Sequence, residues 1–201
     1  MKKRLFDKII KIIKCNSKDV NDEQLEIILY GLEALYLTLT KLVVIILLSY
    51  LLGILKETLY ILLFYNFIRL FAFGMHAKKS YQCLIFSLIF FVVIPYLVSI
   101  INIHPLIKII FGIISLILII IYAPADTEKR PLISRKRRIK FKILSIISGT
   151  ALLCLIIIYK DLSISSYMFI GFFIASIVIL PITYRIFGLP YNNYKTYKEV
   201  W

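Results

Sequence analysis

Six stretches of nearly continuous Ile, Leu, Val, Phe and Tyr, each about as long as a bilayer crossing, decide what this chain can fold into. They run over residues 34–54, 57–74, 83–101, 105–123, 140–159 and 165–184. Each approaches the ~20 residues that a helix needs to traverse hydrocarbon. With 61% of its 201 residues hydrophobic and a mean hydropathy of +0.89, the chain carries more apolar surface than one soluble core of this length could bury. The lipid bilayer is therefore the expected solvent and first partner. The spacing predicts an all-α, polytopic integral membrane protein of about six transmembrane helices, with a bundle over 34–184 inside one membrane-embedded domain, 1–201.

The charges fall in the gaps between these runs. Lys and Arg number 25 against 11 Asp and Glu, for a net +14. In a soluble protein such a surplus would point to nucleic acid. Here its distribution is that of a topology signal, so no nucleic-acid partner is expected. With the N-terminus inside, the inner side collects the KKR start, Lys78 and Lys79, the run EKRPLISRKRR (128–138), and Arg185, Lys195 and Lys198. The outer side holds only Lys56 beside Glu57, the neutral NIHP turn, and Lys160 beside Asp161. Six spans with both termini cytoplasmic, ending in a cytoplasmic tail over 185–201, satisfy the positive-inside rule at every loop; an odd number would break the alternation.

Residues 1–15 differ from the rest. Leu5, Phe6, Ile9, Ile10, Ile12 and Ile13 gather on one side at helical spacing, with Lys8, Lys11 and Lys14 opposite. This is the pattern of a basic amphipathic helix lying on the membrane surface. The polar NSKDVNDEQ (16–24) follows as a hinge. Glu26, Glu33 and Lys41 share a helix face that should turn toward protein or water. Pro95 and Pro181 should kink their spans.

Against this background, RLFAFGMHAKKSYQC (69–83) places Arg69, His76, Lys78, Lys79 and Cys83 in one short segment at the expected inner water interface. A lone Cys is ordinarily a small core hydrophobe, the reading given to Cys154; Cys15 is also taken as structural, and His104 as a loop residue. The three Cys are too far apart for a disulfide framework or a zinc site, so no metal or cofactor is expected. Cys83 is different because its neighbours would activate it. A free thiol, with a pKa of ~8.5, is only a few per cent thiolate at neutral pH. Ser80 as an N-cap would set Cys83 in the first turn of the third span, where unpaired N–H groups and the helix dipole favour a negative sulfur. Lys78, Lys79 and a protonated His76 would add to the effect. In a continuous helix, however, residues seven apart lie ~10.5 Å apart along the axis. The helix must therefore break: Gly74 supplies a stop, Ser80 a start, and the link between them can fold the ring over the sulfur. A His from one subunit serving a Cys of its neighbour would meet the same demand.

Two further groups have open roles. Arg69 either snorkels to the headgroups or faces a polar cavity, where it could hold a substrate carboxylate or carbonyl or orient an acid. Asp126, in the second polar island YAPADTEKRPL (122–132), could cap a helix, pair with a nearby cation or orient His76. In a different class of function, Arg69, Glu26, Glu33 and Lys41 would line the path of a small transporter of a peptide or ion, with His76 relaying protons. No half-repeat symmetry supports that reading.

Together the two islands resemble the AgrB (accessory gene regulator B) family, membrane peptidases of Gram-positive bacteria. The family pattern has an Arg, a Gly shortly before a His, and a Cys seven residues after that His; this chain has Arg69, Gly74, His76 and Cys83. The family's Ala-Pro-x-Asp stretch is matched by Ala123 to Asp126, and its basic-Pro-Leu by Arg130, Pro131 and Leu132. Two departures stand out: Phe73-Gly74 replaces the usual Gly-Gly, and Lys129-Arg130 the usual Asn-Lys. The resemblance implies a cysteine endopeptidase without cofactor at the cytoplasmic face of the bacterial cell membrane. It would remove the C-terminal tail of a quorum-sensing precursor, hold the remainder as an acyl-thioester on Cys83, and release a thiolactone or lactone autoinducing peptide. His76 would act as base and acid, with Arg69, Gly74, Ser80 and Asp126 as supports. The implied partners are a precursor with an amphipathic leader and an acidic tail, attracted by Lys78, Lys79, Lys129 and Arg130, and a second copy of the chain in a homodimer.

Overall fold

A computed structural model describes residues 22–75, 80–127 and 131–196. The expected surface helix over 1–15, Cys15, His76, Lys78, Lys79, Lys129 and Arg130 lie outside the described residues. Two compact units divide the chain, Met1–Val44 and Ile45–Trp201. The boundary falls within the first described helix, α1 (Asp22–Leu51). This helix already includes residues 22–24 of the expected hinge.

The second unit is built from helices, and the described residues contain no strand. After α1 come α2 (Leu55–Ala72), α3 (Ser80–Leu88), a five-residue π turn (Ile89–Val93), α4 (Ile94–Ile100) and α5 (Pro105–Tyr122). Then follow α6 (Arg135–Ile158), α7 (Ser163–Val178), the short α8 (Pro181–Ile186) and a 3-10 turn, Asn193–Thr196. Among the described residues three helices are long and apolar enough to cross a membrane: Tyr81–Ile100, Pro105–Tyr122 and Arg135–Ile158. Their outward faces leave large apolar side chains open, among them Ile100, Ile110, Ile147 and Ile158, the last 69% exposed. Such continuous greasy surface is costly in water and expected in lipid.

α7 forms the centre, packed on α2, α5 and α6. Most of its side chains are buried, Phe172 and Ala175 completely. Gly171 permits its close approach to α2: a Cβ there would stand 2.9 Å from the Ile61 carbonyl oxygen and the Tyr65 amide nitrogen. Small residues at helix crossings, here also Ser145, Ser148 and Gly149 of α6, are the usual solution where lipid offers no hydrophobic drive between helices.

Both prolines do more than kink. Pro95 cannot donate to the Phe91 carbonyl one turn back, and a π turn precedes it. That carbonyl instead accepts the Thr58 hydroxyl at 3.0 Å, while Thr58 and Ser49 hydroxyls lie 2.9 Å apart. Pro181 ends the expected 165–184 span altogether, leaving the sixteen-residue α7 and a separate α8. α6, in contrast, starts five residues before the expected 140, because the basic run of 135–138 is as good a helix former as the apolar run after it.

At the end of the bundle where α5 begins, His104 is the N-cap of that helix rather than a plain loop residue. Its Nδ1 accepts the Leu106 amide at 3.3 Å, and Pro105 occupies the first helical position. Lys108, buried at 3% exposure, donates to the Lys160 carbonyl and to the Ser165 hydroxyl at 2.7 Å. Its ammonium thereby serves the chain just beyond the C-terminus of α6, where carbonyls lack partners.

Candidate active site

The helix break demanded by the His76–Cys83 spacing is present: α2 stops at Ala72 and α3 starts at Ser80. Its first part is a rigid, strained turn. Phe73 takes φ 58 and ψ −130, and its N–H still bonds back to the Arg69 carbonyl. Gly74 follows at φ 122, a backbone geometry that glycine adopts without penalty. A Cβ at Gly74 would come within 3.1 Å of Val178 Cγ1. Phe73 meets the same left-handed requirement with a side chain, and its ring packs edge-on against Phe141 at 4.9 Å.

Arg69 sits on the last turn of α2, and its side chain folds back over this turn. Nε donates to the Phe73 carbonyl at 3.2 Å, and one terminal nitrogen to the Gly74 and Met75 carbonyls, each at 3.2 Å. The other terminal nitrogen donates to the Tyr65 hydroxyl. The guanidinium thus gathers three carbonyls just past the end of α2, where the helix dipole favours a cation. These contacts are to its own chain.

The second polar island is the other wall of the turn. Ala125 donates its N–H to the Ala72 carbonyl and accepts the Gly74 N–H, both at 3.0 Å, making an isolated parallel bridge between Phe73 and Ala125. The Met75 N–H reaches the Val178 carbonyl at the end of α7 at 3.4 Å. The backbone running into His76 is therefore held by Arg69, by Ala125 and by α7.

Asp126 faces away from this bridge, into the C-terminal segment. It is 4% exposed. One carboxylate oxygen accepts the Asn193 N–H at 3.0 Å; the other accepts the Tyr194 N–H at 2.8 Å and the Leu132 N–H at 3.3 Å. These bonds cap the start of the 3-10 turn at Asn193. The buried Tyr184 hydroxyl adds bonds to the Asp126 and Ala125 carbonyls at 3.0 and 3.3 Å. Sequence reasoning passed over Tyr184, Asn193 and Tyr194, and a buried carboxylate in search of amide donors leaves no motif that points to them.

Ser80 and Cys83 both lie in α3, described from Ser80 to Leu88. Cys83 is a free, partly exposed thiol, whereas Cys154 is exposed on the outward face of α6 and so is no core residue, since that helix turns its Ser, Gly and Leu152 side inward. Among the described residues no three His, Cys, Asp or Glu gather as a metal ion would require.

Over 98% of its length the chain is 32% identical to an AgrB-like protein of Clostridium acetobutylicum, covering 96% of that protein. It is 30% identical to an AgrB-like protein of Listeria innocua, over 84% of this chain and 83% of the other. Against the accessory gene regulator protein B of Staphylococcus saprophyticus it is 38% identical, over 62% and 65% of the two chains. No solved structure matches the chain. Residues 6–180 match the family described as Accessory gene regulator B, a span that includes Arg69, Gly74, His76, Cys83 and Asp126; the chain is a membrane protein belonging to the AgrB family.

Proposed function

We propose that this chain is a cysteine endopeptidase that trims a quorum-sensing precursor peptide and closes its ring. The observation that carries the reading is the break in the helix before His76, with the partly exposed Cys83 on the helix described from Ser80 onward. His76 takes the thiol proton, and the Cys83 sulfur attacks the carbonyl of the scissile bond. As the tetrahedral centre collapses, the C–N bond breaks and His76 returns the proton to the leaving amine. The tail departs and the remainder stays as an acyl-thioester. An internal Cys or Ser of the precursor then attacks that thioester, forming a thiolactone or lactone and regenerating the Cys83 thiol. Solvent exclusion at the membrane edge favours ring closure over hydrolysis.

In this reading six helices cross the membrane with both termini cytoplasmic, and the site lies at the inner face. There the exposed Arg135, Lys136, Arg137 and Lys140 at the start of α6, with Lys78, Lys79, Lys129 and Arg130, would attract an acidic precursor tail, and a homodimer completes the assembly. The test is co-expression of the chain with its precursor. Cleavage should vanish in both Cys83→Ser and His76→Ala, while the proteins still reach the membrane. Cleavage persisting in either variant refutes the peptidase.

A further inference from the structure

We propose that the C-terminal segment, residues 189–196, is a positioning element of the active site, clasped by Asp126 and acting on His76 through the backbone. The inference rests on the peptidase reading above for its catalytic consequence, and on geometry alone for the clasp. The segment leaves α8 through Gly188, at φ 60, and Leu189 bonds back to the Tyr184 carbonyl at 2.9 Å. Tyr191 then packs edge-on against Tyr184 at 5.1 Å. Asn193, 5% exposed, ties its side-chain amide to the Pro190 carbonyl at 3.1 Å. Its own N–H and that of Tyr194 converge on the Asp126 carboxylate.

Arg138 locks the same junction from α6. Its guanidinium lies 4.1 Å over the Tyr194 ring and donates to the Leu132 and Ile133 carbonyls at 3.1 and 3.0 Å. Asp126 adjoins Ala125, whose two backbone bonds hold Ala72 and Gly74. A continuous hydrogen-bonded path thus leads from the tail to Met75, the residue before His76. Among the described residues no contact joins the tail to the Cys83 thiol, so the tail acts by fixing the backbone that leads into His76. Backbone bonds to a buried carboxylate are strong and directional, and reacting groups displaced by about 1 Å can lose on the order of 10²-fold in rate.

Two variants of the full membrane protein test this, in a Cys15→Ser, Cys154→Ser background that leaves Cys83 as the single thiol. One is a truncation after Gly188; the other is Asp126→Asn, which keeps the shape but turns an amide nitrogen toward one of the tail N–H groups. Precursor cleavage should lose about 10²-fold in kcat in the truncation and about tenfold in Asp126→Asn, with KM within about twofold, because the tail does not bind substrate. The profile of Cys83 alkylation rate against iodoacetamide concentration at neutral pH should fall in both, and a synthetic peptide of residues 189–201 should partly restore the truncated enzyme. Cleavage at the parent rate in both variants, or a lower kcat with an unmoved alkylation profile, overturns the proposal. If the parent itself cleaves nothing, the peptidase reading fails instead. The alkylation profile then still decides whether the clasp governs Cys83.

Discussion

Replacing Gly74 with alanine should damage the site out of proportion to the one methyl group added. Two costs combine. At φ 122 an L-residue is strained by about 1–3 kcal/mol, and the new Cβ would stand 3.1 Å from Val178 Cγ1 and 3.5 Å from both Ile179 Cγ2 and the Val178 carbonyl. Residue 74 cannot simply rotate away, because its N–H is bonded to Ala125 and its carbonyl to Arg69. Relief requires those bonds to break. A cost of about 2 kcal/mol leaves the intact turn populated about thirtyfold less against an open one. Single-turnover cleavage of precursor by the protein in liposomes should therefore slow by on the order of 10- to 30-fold. Stability to melting in detergent should fall by at most about the same 2 kcal/mol, because opening of the turn caps the strain. Phe73→Gly is the matched control: it removes the strain at φ 58 and loses one edge contact with Phe141, so its rate should stay within a few-fold of the parent. A Gly74→Ala enzyme as fast as Phe73→Gly would show that the turn does not govern the chemistry.

Two further outcomes follow from the structure. Thr58→Val leaves the Phe91 carbonyl without the hydroxyl that replaces the N–H missing at Pro95. Melting in detergent should reveal a loss of about 1–3 kcal/mol, largely recovered by Thr58→Ser. Burial first, then the neighbouring Tyr122, Tyr194 and Asp126, pushes the Tyr191 phenol from its ordinary 10.0 up to about 12. The folded state thus favours the neutral phenol, so its contribution to stability is complete below pH 10 and is lost as the pH rises through about 12. A phenolate absorbance titration of the parent against Tyr191→Phe should show one high step missing in the variant, and an unchanged profile would refute that burial.

The sequence by itself determined the all-helical character, the helix break before Cys83 and the family, because each is written locally. Apolar runs of bilayer length must be helices, since lipid leaves backbone groups no other partner. A His and a Cys seven apart cannot meet along a continuous helix, and Gly74 lies where the chain can turn. What only the tertiary structure decided are the partners. Arg69 spends its donors on the carbonyls of its own helix end, Asp126 holds amides 67 and 68 residues away, and Thr58 of α2 meets the carbonyl that Pro95 leaves open. Pro181 likewise ends α7 outright, where its span read from sequence as merely kinked. Hydrogen-bond donors and acceptors carry no sequence address. A buried carboxylate or freed carbonyl must be satisfied by whichever group packing brings beside it, and helix packing alone sets which group that is.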